Sequence, residues 1–139
     1  SQTVYRPLIS IRLKSAYARD GAVAVPASMN LYGLQSNAYG FKILQNPTLT
    51  GGTWVSGGSE STVEYNISAT ALTGGRTMVQ GLFMGGDKGS ALEMDLRDNN
   101  HQFQLRRSID GTPHIFCIAA IATNNNDYAI GSMNWSEFN

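Results

Sequence analysis

Hydrophobic and polar positions alternate along most of this chain with a period of two. Ile9, Ile11 and Leu13 share one parity while Leu8, Ser10, Arg12 and Lys14 take the other, which predicts a strand with one apolar and one wet face. Further on, Ala91, Glu93 and Asp95 alternate with Leu92, Met94 and Leu96, and Phe103 and Leu105 continue the pattern within Gln102–Arg106. Between these lie short runs rich in Thr, Val, Ile and aromatics, at Tyr39–Gln45, Thr53–Val55, Thr62–Ala69 and Arg76–Leu82. Glycine pairs punctuate them, at Gly51-Gly52, Gly57-Gly58 and Gly74-Gly75, as tight turns between consecutive strands require.

Three segments depart from simple alternation. Ala22–Leu34 is apolar but carries Pro26 in its middle; proline lacks the N–H a central strand donates, so this segment is expected at a sheet edge or broken by a bulge. His114–Ala122 is apolar throughout, which predicts a central strand covered on both faces. Ser15–Gly21 holds small and charged residues and suits a short helical turn. Tyr128–Asn134 reads as the last strand.

Nine or ten closely spaced strands without a long amphipathic helix imply an all-β fold. We expect one antiparallel β-sandwich of jelly-roll type over residues 1–139, with a short N-terminal arm at 1–7 and an aromatic tail at 135–139. A chain of 139 residues can bury a core of its own.

Composition changes this picture in one respect. Only 14% of residues are charged, against a usual share of about 25%. Ten basic and ten acidic residues cancel, so little repulsion keeps copies apart and work inside an assembly is favoured. The same balance argues against nucleic acid or a membrane surface as partner, since Arg106-Arg107 is the densest basic cluster. No apolar run approaches the ~18 residues of a membrane span. No charged and apolar leader follows Ser1, so synthesis in the cytoplasm without a signal peptide is expected.

Candidate chemistry is sparse. Cys117 is the sole cysteine, which excludes an intrachain disulfide, and its apolar run marks it as a core residue. His101 and His114 have no ligand partners at metal spacing, and neither a metal nor a cofactor is expected. Glu93 and Asp95, about 7 Å apart on one strand face, with Asp98 following, match an inverting glycosidase only by separation. Gly85–Ser90 lacks phosphate-loop spacing and reads as a hairpin; Asn124–Asp127 lacks the alternation of a calcium loop and reads as an Asx-type turn. Asn66-Ile67-Ser68 matches a glycosylation acceptor by chance. No enzymatic activity is expected. Trp54, Trp135 and the tyrosines could form a sugar-stacking platform or anchor a subunit interface.

Pro7–Lys14, Asn46–Val55, Val63–Gly75 and the Asp110-Gly111-Thr112-Pro113 turn together resemble small virion structural proteins of tailed bacteriophages. The resemblance spans most of the chain in order and rests on turns and strands. It implies a β-rich, oligomeric accessory protein without enzymatic activity. The expectation is a capsid decoration or cement protein, trimeric, located in the virion, with the major capsid protein and copies of itself as partners. Its interface would be built on Tyr5 and Pro7 of the arm, Trp54, and Trp135 and Phe138 of the tail. A tail, collar or fibre subunit is the alternative within the virion, and a carbohydrate-binding β-sandwich in contact with glycans is the alternative outside it.

Overall fold

The structure, a computed structural model, describes residues 4–14, 23–35, 37–86, 92–96, 105, 113–123 and 127–138. Among the described residues there are eleven strands and no helix. They run β1 (Arg6–Leu13), β2 (Val23–Gly33), β3 (Ala38–Gln45), β4 (Thr48–Thr50), β5 (Val55–Ser56), β6 (Val63–Asn66), β7 (Ala71–Thr73), β8 (Arg76–Met84), β9 (Leu92–Asp95), β10 (Phe116–Ala122) and β11 (Ala129–Phe138). The expected turn at Ser15–Gly21 lies outside the described residues.

The strands form an antiparallel sandwich with a small third layer. A six-stranded sheet in the order β5-β6-β1-β10-β3-β8 faces a three-stranded sheet, β11-β2-β9, while β4 and β7 pair as a separate ribbon. Ile9, Ile11 and Leu13 of β1 enter the core between the two larger sheets, as their shared parity predicts. There they meet Phe41 and Ile43 of β3, Phe116 and Ile118 of β10, and Met29 and Leu31 of β2.

The outer face of the six-stranded sheet is not wholly wet. Leu44, Cys117 and Ala119 form a second buried cluster on it, covered by Leu49 of β4 and Leu72 of β7. This ribbon is why β10 is apolar at every position: odd and even side chains both meet protein. It also explains Ser10, fully buried opposite Cys117, on the side of β1 whose pattern predicted solvent.

Pro26 resolves in favour of the bulge. β2 is the central strand of its sheet, but its register against β11 slips between Asn134 and Trp135, leaving Ala27 as the extra residue. On the other side β9 pairs only from Ser28 to Leu31, so the ladder stops short of Pro26 and never calls on its missing N–H.

Both termini differ from expectation. Arg6 and Pro7 already belong to β1, where Pro7 pairs with Ala119, so they are not part of a free arm. The tail is the second half of β11, pairing Trp135 with Pro26 and Phe138 with Val23. The alternation of the last strand simply continues past Asn134 because β2 is long enough to pair with all of it.

Candidate functional site

Two turns, one following β4 and one following β6, are locked together. The Asn66 side-chain oxygen accepts from the backbone N–H groups of Ser68 and Ala69, at 3.0 Å each, making an Asx-type turn out of the apparent glycosylation triplet. Gly51 and Gly52 lie against this turn with φ of 73° and 78°, the left-handed region that glycine enters at no steric cost. The Thr53 N–H donates to the Ser68 hydroxyl at 2.9 Å.

Trp54 follows, half-buried in the loop ahead of β5, where the run Thr53–Val55 was expected as a strand. Its ring carries the Arg12 guanidinium 4.0 Å from its centroid, and Arg12 Nε donates to Glu64 Oε1 at 2.6 Å. One ring face is therefore occupied by an internal cation, which disfavours Trp54 as a sugar platform.

Tyr5 and Pro7 lie near the opposite end of β1. Lys42 Nζ sits 4.4 Å above the Tyr5 ring. Tyr5, Ala38, Gly40, Leu82 and Ile121 line a shallow depression of about 280 Å3 on the outer face beyond the β4–β7 ribbon. Pro7 lines a second hollow of about 440 Å3 with Arg6, Thr70, Ala120, Asp127 and Tyr128. From Pro7 to Arg12 an extended strand covers about 17 Å. Tyr5 and Pro7 thus lie at the other end of β1 from Arg12 and the Trp54 ring that it covers.

Trp135 packs against the main core, and its indole N–H donates to Glu137 Oε2 at 3.2 Å. Glu137 is the centre of a clasp between the two large sheets. Its carboxylate accepts from the Thr62 hydroxyl at 2.6 Å, from the Thr62 backbone N–H, and from the Ser61 hydroxyl at 2.9 Å. Partial burial pushes the Glu137 pKa up, but these donors outweigh it and hold the carboxyl below its ordinary value. Phe138 is placed at the end of β11, opposite Val23.

Among the described residues, the candidate chemistry is brought into no cluster. Glu93 is exposed on β9 opposite Asn30, and Asp95 takes the register position opposite Ser28. Asp98, His101, Arg106, Arg107 and Asn124–Asn126 lie outside the described residues. Asp127 accepts from the Asn37 side-chain amide at 2.9 Å. Among the described residues, no three His, Cys, Asp or Glu gather as metal ligands. Cys117 is buried beside Ser10, and burial pushes its thiol up to about 11.

What sequence reasoning missed is at the sheet edges. Among the described residues, β5 and β8 end the six-stranded sheet, and β11 and β9 end the three-stranded one. Large apolar side chains stand exposed on three of these four strands: Val55 on β5 (43%), Leu82 (80%) and Met84 (56%) on β8, and Ile130 (56%) on β11. The signal was present as apolar residues at outward parity, but β5, β8 and β11 carry no proline that would mark them as edge strands. No family model, curated protein or solved structure matches this chain.

Proposed function

We propose that this protein is a non-enzymatic structural component of a virion, acting as a capsid decoration or cement protein on contacts between major capsid subunits. One observation carries the reading: both large sheets end in strands that expose apolar side chains, on a chain with few charges. Open strand edges with apolar rows are templates for pairing and packing against neighbours. A free monomer would gain nothing from them, whereas a subunit held among others buries them. The mechanism is mass action: binding the assembled shell and not its free subunits stabilises the shell by RT ln(1 + [L]/Kd).

The resemblance to phage virion proteins supplies the setting, and the exposed edges supply the means. The test is to heat capsids assembled with and without the protein and to follow genome release. A higher release temperature with the protein bound supports the reading; no binding to capsids, or no shift, overturns it. A tail, collar or fibre position would show as immunogold label on tails and none on heads.

A further inference from the structure

We infer that the open edge of β8 over Val79–Met84 is a homotypic interface, at which two copies of this chain pair antiparallel about a two-fold axis. β8 is the last strand of its sheet, with β3 on one side and no described strand on the other. Proteins protect such edges with charge, proline, shortness or a bulge. Here the register slips once, leaving Met78 as the extra residue and breaking the edge beside Arg76 and Thr77. The remaining six residues, Val79-Gln80-Gly81-Leu82-Phe83-Met84, contain neither charge nor proline.

Their side chains are sorted by face. Val79 and Phe83 pack into the core, and Gly81 lies under the Phe41 ring, while Gln80, Leu82 and Met84 stand outward and exposed. A two-fold axis perpendicular to the sheet keeps outward residues outward in both copies and makes the strands antiparallel, so the edge is complementary to itself. Leu82, exposed at 80%, then falls on or beside the axis against its own mate. The segment has no charge with which to select a partner of opposite sign, and no like charges meet across the axis. Its own copy is the partner it matches.

This inference concerns self-contact and stands or falls apart from the virion reading. The experiment is light scattering of the full chain over a dilution series, for wild type, Leu82→Lys and Ile130→Lys. Wild type should be a dimer that dissociates on dilution. Leu82→Lys should raise the midpoint concentration at least about tenfold, while Ile130→Lys, exposed on the other sheet, should not. Amide exchange of wild-type Val79–Met84 should slow as concentration rises, a readout that needs no variant. A wild-type monomer throughout, a trimer that Leu82→Lys leaves intact, or concentration-independent exchange overturns it. Capsid binding is scored separately, so a dimer that ignores capsids sinks only the virion reading.

Discussion

Glu137→Ala should open the clasp that ties β11 to the start of β6. The magnitude follows from Thr62, only 1% exposed, whose backbone N–H and hydroxyl both donate to the carboxylate. The hydroxyl can turn to another acceptor, and Ser61 and the Trp135 indole can turn to water. The buried N–H cannot. A buried donor left without an acceptor costs about 1–3 kcal/mol. The Coulombic share is small because the carboxylate is largely solvated and screened. A loss of about 1–3 kcal/mol lowers the Tm of a chain this size by roughly 3–12 °C. Urea unfolding followed by tryptophan fluorescence at pH 7 measures it directly. The pH dependence has a definite sign. The folded-state pKa of Glu137 lies below its ordinary 4.5, so its contribution is fully present above that value and is lost as pH falls through the lower, folded value. The gap between wild type and Glu137→Ala should therefore be level near neutrality and narrow in acid. Glu137→Gln keeps one acceptor oxygen and should fall between the two. A gap under about 0.5 kcal/mol at pH 7, the scale of an ordinary surface change, would refute the argument.

Other outcomes follow from the same structure. Gly52→Ala should cost more than Gly74→Ala: both have positive φ, worth about 1–2 kcal/mol, but a Cβ on Gly52 would stand 2.5 Å from the Ala69 nitrogen whereas one on Gly74 meets nothing within 4 Å. Equal urea midpoints for the two would contradict this. Cys117 should be silent to a thiol reagent in the native protein at pH 8 and react once the chain is denatured. Because its folded pKa is raised from 9.0 to about 11, stability should decline as pH rises through that interval, where the unfolded chain loses the proton first. Trp54→Ala removes the ring beneath Arg12 and should cost about 0.5–1 kcal/mol in a chemical melt, with no change in retention on polysaccharide columns. Retention that depends on Trp54 would favour the sugar-binding alternative.

Period and punctuation were enough to predict strands, turns and the class of fold, because a two-residue repeat encodes which side chains face a core wherever a strand finds one. That is why Ile9, Ile11 and Leu13 and the two-faced burial of β10 were legible, whereas Pro26 left an edge strand and a bulge both open until the pairing of β2 decided for the bulge. The candidate site was legible only in part. Tyr5, Pro7, Trp54, Trp135 and Phe138 were chosen as aromatic or terminal residues, and the structure gives contacts within the chain to Trp54 beneath Arg12, to Trp135 against the core and Glu137, and to Pro7 in the ladder opposite Ala119.

By itself, the sequence determined the low and balanced charge, and also the local alternation and the glycine turns, since these two depend on residues within a few positions of each other. The tertiary structure alone decided the rest. Whether Ser10 meets water or the Cys117 cluster depends on a ribbon formed by residues some forty to sixty positions away, and whether Leu82 is covered depends on β8 coming last in its sheet. Strand order is set by long-range pairing between segments that share the same pattern. A repeat of two states that a strand has an inside, but not which strand will be left at the edge.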